Sequence, residues 1–160
     1  MPSEAKIRTR MAELATLLDY DCQDLSHLSK AMYCKREGRK NYTNDAMATL
    51  GDAVLKLIFS EHFFSRGMDK DEITHRKIPL EKNATLKAIC DKLGLYAFAY
   101  NDDYFGNEAP PRQRLPYGAH DFYLEAIVAA VYLDRGLDYT RQWVLSFWKK
   151  HSKTAYLLEQ

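Results

Sequence analysis

Several features are scarce in this sequence, and each shortage excludes a class of protein. No apolar run approaches the roughly 20 residues that cross a bilayer, and the opening residues, MPSEAKIRTR, have no apolar stretch like that of a secretion signal. Only three cysteines occur, with no CxxC pair, which disfavours a zinc site or a disulfide framework. Basic residues exceed acidic ones by 23 to 22, which excludes a strongly basic binder of nucleic acid. We therefore expect a cytoplasmic (or organellar) protein with reduced thiols and no membrane segment.

The rest of the composition is that of a folded domain. Hydrophobic residues make up 46% of the chain and charged residues 28%, so the chain can bury a core. A length of 160 residues fits one domain better than two. We expect a single domain over residues 1–160, with an N-terminal helix within 1–20 and a core over 25–150.

Apolar residues at helical spacing predict about seven helices and an all-α fold. Asp24 and Asp71 are the predicted caps of the second and fourth helices. No strand pattern, internal repeat or low-complexity linker is evident, residues 34–43 form a predicted basic loop, and residues 100–118 form a long loop with three prolines and two glycines. The other helices are predicted over residues 3–18, 44–67, about 86–93, 120–134 and 138–151.

One predicted helix, which begins NDAMATLGDAVLKLIF at residue 44, places two acids on one face. Asp45 and Asp52 are seven positions apart, which is two helical turns or about 10 Å along the axis. Gly51 costs about 1 kcal/mol of helix stability relative to alanine. A glycine in the middle of a helix therefore predicts that another backbone approaches closely at this point.

A second predicted helix, HDFYLEAIVAAVYLD, has acids and small residues suited to meeting the first. Asp121 and Glu125 are four positions apart and share a face, and the alanines at 126, 129 and 130 allow close packing. If Gly51 docks on these alanines, Asp52 and Glu125 come together among apolar residues. Two carboxylates there repel unless a proton or a metal ion neutralises them, and Mg²⁺ is the natural occupant because it prefers oxygen ligands.

These two segments resemble the two motifs of the ribonuclease III family, endonucleases that cut double-stranded RNA. The family's first motif typically reads NERLEFLGDAVL, and residues 44–55 read NDAMATLGDAVL. Its second typically reads DAxEALIGAIYLDGG, and residues 122–136 read FYLEAIVAAVYLDRG. Between them, residues 82–95, KNATLKAICDKLGL, resemble the segment that carries an Asn or Ser, a Leu and then LGL. The resemblance extends from about residue 25 to residue 148 and implies the all-α fold of that family's endonuclease domain.

The family holds its metal with four acids, and this chain matches two of them. Asp52 matches the acid of the first motif and Glu125 matches that of the second. Ala48 replaces the family's Glu four residues before Asp52, and Phe122 replaces its Asp three residues before Glu125, with Asp121 one position earlier. The small Mini-III branch also lacks the Glu at the Ala48 position and has no double-stranded-RNA-binding domain, and this chain resembles it in both respects.

The resemblance implies an endoribonuclease that uses Mg²⁺, with Mn²⁺ as a substitute. Asp52 and Glu125 would be the catalytic metal ligands, Asp121 a further ligand reached through water, and Asp45 an acid behind the site or facing the RNA. The substrate would be double-stranded or structured RNA, with ribosomal RNA precursors as one class. The products would carry 5′-phosphate and 3′-hydroxyl ends.

Basic residues in two predicted loops are candidates for binding RNA. Contacts to phosphates dominate the affinity for nucleic acid without reading its sequence. A solvated loop explains each of these residues equally well, so no single one is decisive. The candidates are Lys35, Arg36, Arg39 and Lys40 in the first loop, and Arg112 and Arg114 in the second.

The resemblance also implies a homodimer, with duplex RNA in the valley between the two protomers. Met47, Thr49 and Leu50 are the expected interface residues, near the start of the first-motif helix, although Thr49 stands where the family has Phe. Such an interface uses the same patch on both subunits. The aromatic stretch 96–105, YAFAYNDDYF, is expected to pack internally or at this interface, because duplex RNA hides its bases.

A retired nuclease domain is the main alternative interpretation. Ala48, Thr49 and Phe122 favour a ribonuclease III-like domain that no longer cleaves and acts as an RNA-binding or scaffold subunit of a ribonucleoprotein. Asp52 and Glu125 argue against it, because a retired site has no reason to keep two repelling acids. Each acid also fits an ordinary surface or first-turn position.

The dipeptide His120-Asp121 supports another alternative, since an HD pair marks a class of all-α metal phosphohydrolases. That fold needs further ligands, for which His62, His75 and Asp134 are available. Chance supplies such a set easily. This interpretation also leaves LGDAVL unexplained.

Overall fold

The computed structural model describes residues 2–39, 41–115 and 123–159, and they form an all-α fold as predicted. Short 3₁₀ turns lie at Leu95–Phe98, Gly106–Glu108 and Ala155–Leu158. The described part of the chain has six α-helices: α1 (Glu4–Leu17), α2 (Leu25–Met32), α3 (Asp45–Phe64), α4 (Lys70–Glu81), α5 (Asn83–Leu93) and α6 (Tyr123–His151).

Helix α6 combines the last two predicted helices and so accounts for the difference from the predicted seven. Gly136 alone leaves the helical region, with φ 83° and ψ 176°, and the helix resumes directly after it. A positive φ of this kind is available to glycine without steric cost. The chain changes direction there without an intervening loop, whereas the pattern of residues 134–138 had predicted one.

Side-chain caps explain where helices α2 and α4 begin. The Asp24 side chain accepts a hydrogen bond from the Ser26 backbone N–H, which confirms the predicted cap of α2. Helix α4 is capped by Asp69, so the prediction of Asp71 was wrong. Asp69 forms a reciprocal capping box with Glu72. Asp71 lies in the first turn, where the helix dipole stabilises its negative charge.

A short hairpin precedes α3, where the sequence predicts a basic loop. Strand β1 (Arg36–Glu37) pairs antiparallel with β2 (Asn41–Tyr42), with Arg36 opposite Tyr42. The Asp45 carboxylate accepts a hydrogen bond from the Tyr42 backbone N–H at 2.8 Å and so joins the hairpin to the start of α3. Two-residue strands are too short for alternation to show in the sequence.

The core lies where α3 and α2 pack on α6. Residues 123–131 of α6 are all buried, as are Leu55, Ile58 and Phe59 on the facing side of α3. Trp148, fully buried, donates a hydrogen bond to the Leu80 carbonyl at 2.9 Å and fastens the end of α4 to α6. The three cysteines are free thiols. Within the described ranges, no helix is both long and apolar enough to cross a membrane.

Candidate active site

Helices α3 and α6 touch backbone to backbone at Gly51. A Cβ atom added to Gly51 would lie 1.6 Å from the Glu125 carbonyl oxygen and 2.6 Å from its carbonyl carbon, closer than any side chain allows. Ala126, Ala129 and Ala130 on α6 are fully buried. The predicted close approach is therefore present, and glycine is the residue that permits it.

This contact brings the Asp52 and Glu125 side chains together. Glu125 is 7% exposed, while the Asp52 side chain is 38% exposed at the rim. The two carboxyl groups share a hydrogen bond. Two carboxylates repel at this range, so the pair needs a proton or a cation to neutralise it.

Cations hold Asp52 in its ionised form. Burial alone raises the pKa of Asp52, but hydrogen bonds from Lys56 and Glu125, together with the charges of Lys56 and Lys77, hold this pKa below its ordinary value. The Lys56 Nζ atom lies 2.6 Å from Asp52 Oδ1, one turn along α3. Two predicted acids and two further cations therefore meet on one surface.

Glu81 is a third acid at this site, and the sequence analysis did not identify it. It is the last residue of α4, and its Oε2 atom is buried without a hydrogen-bond partner among the described residues. Burial raises the pKa of Glu81 above its ordinary value and the charge of Asp52 adds to this, whereas Lys56 and Lys77 act against it. No motif marks Glu81, because it lies 29 positions from Asp52 in the chain and only the fold brings them together.

The Asp52–Glu125 pair fits a hard divalent cation. Carboxylate oxygens are the ligands that Mg²⁺ prefers, and it usually takes one or two of them and keeps several waters. Such a cation would replace the Lys56 ammonium as the positive charge beside Asp52. Within the described residues, no group of three His, Cys, Asp or Glu side chains is arranged to hold a metal. Asp121, the predicted additional ligand, and Phe122 lie outside the described residues.

Two of the positions at which the chain departs from the family pattern, Ala48 and Thr49, are occupied by small residues. Ala48, one turn before Asp52, is buried and apolar, so α3 offers no second acid there. Thr49 is exposed, and its hydroxyl donates a hydrogen bond to the Asp45 carbonyl at 3.1 Å. Met47 and Leu50, the other predicted interface residues, are half-buried and pack against the core.

Those predicted RNA-binding residues that the structure describes lie in two segments, and both segments line one cavity of about 270 Å³. Lys35, Arg36 and Arg114 line this cavity, together with Asp102 and Asp103. Lys35 forms an ion pair with Asp102 at 2.6 Å, so part of the positive charge is neutralised internally.

The other members of this basic set are accounted for in part. Arg39 is exposed beside the hairpin turn, and its carbonyl accepts a hydrogen bond from Arg36. Arg112 is exposed, and the Arg114 guanidinium lies over the Tyr96 ring, 5.5 Å from its centroid. Lys40 lies outside the described residues.

The residues nominated for an HD-type site have separate structural roles. His62 contacts the Leu158 carbonyl at 2.9 Å and His75 contacts the Asp71 carbonyl at 2.9 Å. The Asp134 carboxylate accepts hydrogen bonds from the loop between α1 and α2, including the Gln23 N–H at 2.9 Å. His62, His75 and Asp134 do not form a metal-binding group, and His120 and Asp121 are outside the described residues.

Comparisons with known proteins point to one family. A family model described as the Ribonuclease III domain matches residues 45–136, more than half of the chain. Ribonuclease 3 of Clostridium acetobutylicum is 28% identical over 144 residues, which cover 84% of this chain and 60% of that protein. Ribonuclease 3 of Pseudothermotoga lettingae is 31% identical over 134 residues, covering 81% of this chain and 54% of that protein. The chain thus spans little more than half the length of these relatives.

Solved structures share the fold. The nuclease domain of ribonuclease III from Campylobacter jejuni matches with a TM-score of 0.68 at 23% identity, covering 88% of this chain and 97% of that one. That structure is described as flexible in a region involved in dimer formation. A 2.2 Å crystal structure of the same domain matches with a TM-score of 0.66 at 24% identity, covering 87% and 93%. At these identities the likeness shows a common architecture.

Proposed function

Since the chain belongs to the ribonuclease III family, we propose that it is a metal-dependent endoribonuclease that cuts double-stranded or structured RNA. The observation that carries the proposal is the contact between Gly51 and the Glu125 backbone, which holds Asp52 and Glu125 side by side. Evolution would have no structural reason to retain two acids that repel each other at the centre of a helix pair. Ribosomal RNA precursors are one substrate class we propose.

Asp52 and Glu125 would hold Mg²⁺, for which Mn²⁺ can substitute, and Asp121 would contribute through a water. When bound, Mg²⁺ supplies a water of lowered pKa and neutralises charge that develops on phosphate oxygens. The buried Glu125 fixes one side of the pair, because its backbone is held against α3. The more exposed Asp52 then faces the side from which a phosphodiester approaches.

The basic residues beside the hairpin would orient the RNA. The chain's net charge is only +1, so binding depends on local clusters of charge. Lys35, Arg36 and Arg114 share one cavity, and the exposed Arg39 and Arg112 would add positive charge for the same RNA. Lys40, outside the described residues, is proposed as a further RNA contact. A homodimer through the start of α3 would place two such sites on opposite strands of a duplex.

A retired, RNA-binding domain is the second candidate function. The observation that favours it is the ion pair between Lys56 and Asp52, which neutralises the site without a metal. The buried Ala48 adds to this, since it leaves α3 with a single acid at the site. Under this alternative the chain binds structured RNA but does not cut it.

Cleavage assays separate the two candidates. Purified protein with Mg²⁺ or Mn²⁺ should cut duplex and hairpin RNAs, and Asp52→Asn and Glu125→Gln should each abolish cleavage while the circular dichroism spectrum is unchanged. Asp121→Asn should weaken cleavage much less than Glu125→Gln. The matched control is Asp91→Asn, which breaks an equivalent ion pair with Lys87, at 2.9 Å and also one turn apart, on α5.

The outcome that favours the retired domain is equally specific. It is RNA binding by the wild-type protein with no cleavage above that of Asp52→Asn, across several structured RNAs and with both metals.

A further inference from the structure

Lys56 interacts with acids on three helices, namely Asp52 on α3, Glu81 on α4 and Glu125 on α6. Its Nζ atom contacts Asp52 at 2.6 Å along α3. Partial burial alone lowers the pKa of Lys56, but the hydrogen bond to Asp52 and the negative charges of Glu81, Asp52 and Glu125 raise it above its ordinary value. The ammonium is therefore paired with Asp52 and lies near enough to Glu81, at the end of α4, to interact with its charge.

The buried position of the Glu81 carboxyl group is energetically unfavourable. Its Oε2 atom is buried and accepts no hydrogen bond from the described residues. Leaving a buried polar atom without a hydrogen bond destabilises the folded state, and more so for a charged group. The chain around Glu81 fixes its position, because α4 ends there and Trp148 bonds the Leu80 carbonyl next to it. The Glu81 Oε2 atom is therefore a hydrogen-bond acceptor that is available to the Lys56 ammonium.

A divalent cation at the Asp52–Glu125 pair would compete directly with Lys56. Both are positive and both use Asp52, so they repel when they are adjacent. Displacing Lys56 into water would lose its ion pair altogether. Moving it to Glu81 would retain a charged partner and satisfy the Oε2 atom. Lys77, which faces both Asp52 and Glu81, adds positive charge but makes no hydrogen bond to either acid among the contacts described.

We propose that Lys56 exchanges partners when the metal binds, leaving Asp52 for Glu81, and that Glu81 is a positioning residue for metal loading. This inference rests on the proposed function, because it assumes a cation held by Asp52 and Glu125. Glu81 acts through Lys56 and does not touch the metal. It compensates within this chain for a lysine that would otherwise block the site.

The test is a double-mutant cycle on metal affinity, measured as Mn²⁺ binding by electron paramagnetic resonance without RNA. Glu81→Gln keeps the shape but removes the alternative partner, and we expect about five-fold or greater weakening of Mn²⁺ binding. Lys56→Met removes the competitor and should tighten binding. In the Lys56→Met background, Glu81→Gln should change the affinity at least three-fold less than in the wild type. Lys87→Met, which breaks the equivalent ion pair on α5, is the matched control and should have no effect.

Two other results have distinct meanings. If Glu81→Gln weakens Mn²⁺ binding by the same factor in both backgrounds, Glu81 acts on the cation itself, and the partner exchange is wrong while the metal site stands. If wild type and Asp52→Asn bind Mn²⁺ equally, the metal site of the proposed function fails and the exchange fails with it. A crystal structure with Mn²⁺ gives a second readout, in which Lys56 Nζ should lie within hydrogen-bond distance of Glu81 and not of Asp52.

Discussion

At the scale of a single residue, burial of the Glu81 carboxyl group opposes the stability of the folded state. Its pKa is raised, chiefly by burial, so the folded state favours the protonated form. The stability that Glu81 contributes is therefore fully present below its ordinary pKa of 4.5 and is lost as the pH rises through the higher folded value. The wild-type protein is therefore less stabilised by Glu81 at neutral pH than in acid.

Glu81→Gln should therefore raise the melting temperature at pH 7, and the difference from wild type should shrink towards zero near pH 4. Glutamine resembles the protonated acid in shape and charge, so the variant avoids the cost at every pH. Thermal unfolding followed by circular dichroism across this pH range measures it. Glu108→Gln provides a control of opposite sign, because a hydrogen bond from Lys6 lowers the pKa of Glu108, and this variant should be no more stable than wild type at pH 7. A Glu81→Gln variant less stable than wild type at pH 7 would contradict the sign of the shift.

Asp52 and Glu125 were predictable from the sequence, whereas the rest of the site was only partly so. Their motifs and the adjacent Gly51 indicated that they meet. Lys56 lies one turn from Asp52, and that spacing alone would have suggested an ion pair. Glu81 gave no signal, since its role depends on how α4 packs against α3.

At the scale of elements, helices α3 and α6 pack backbone to backbone, because Gly51 has no side chain to keep them apart. Gly51→Ala should destabilise the protein by about 2–3 kcal/mol, although alanine in an isolated helix is better than glycine by about 1 kcal/mol. The added methyl group would overlap the Glu125 carbonyl, so the helices must separate. Urea unfolding measures the change, and Ala53→Gly, at an exposed position of α3, provides the reference for helix propensity. Equal or greater stability of Gly51→Ala would show that the helices part without cost.

The start of α4 gives a second prediction at this scale. Asp69→Ala should cost about 1 kcal/mol, because it removes the side-chain acceptor for the Glu72 N–H. Asp71→Ala, two positions away, should cost less than half as much, since its side chain contributes only its charge to the first turn. The same unfolding measurements compare the two variants. A larger loss of unfolding free energy for Asp71→Ala would show that Asp71 caps α4, as the sequence predicted.

The elements differ in how far the sequence revealed them, and the reason is the range of the interactions. Helices α1, α2, α3 and α5 follow from apolar periodicity, which is a local property. The choice of Asp69 over Asp71 depends on its reciprocal bond with Glu72, which composition alone does not distinguish. Strands β1 and β2 have two residues each, too few for alternation to show in the sequence, and α6 resumes directly after Gly136, where the sequence predicted a break between two helices.

The dimer is the proposal that belongs to the whole molecule. Leu50→Glu should convert a dimer into a monomer at micromolar concentration, because a charge buried at a two-fold interface faces the same charge on the other subunit. Sedimentation velocity measures the state, with circular dichroism to verify folding. Leu133→Glu, at a position on α6 that is 48% exposed, is the control and should leave the dimer intact. A wild-type protein that is monomeric at high concentration would remove the model in which two sites cut opposite strands, and would favour a different subunit as partner.

The unbroken burial of residues 123–131 has a consequence for where the folded protein opens locally. Backbone amides there exchange with deuterium only when α3 and α6 part, so those of Ala126–Val131 should be among the slowest in the molecule, at rates set by global unfolding. Binding sites commonly belong to segments that open easily, yet Glu125 belongs to the segment that opens last. Under the proposed function, the catalytic pair is therefore a rigid part of the protein. Any adaptation to the shape of a substrate must come from the hairpin and the loops around it.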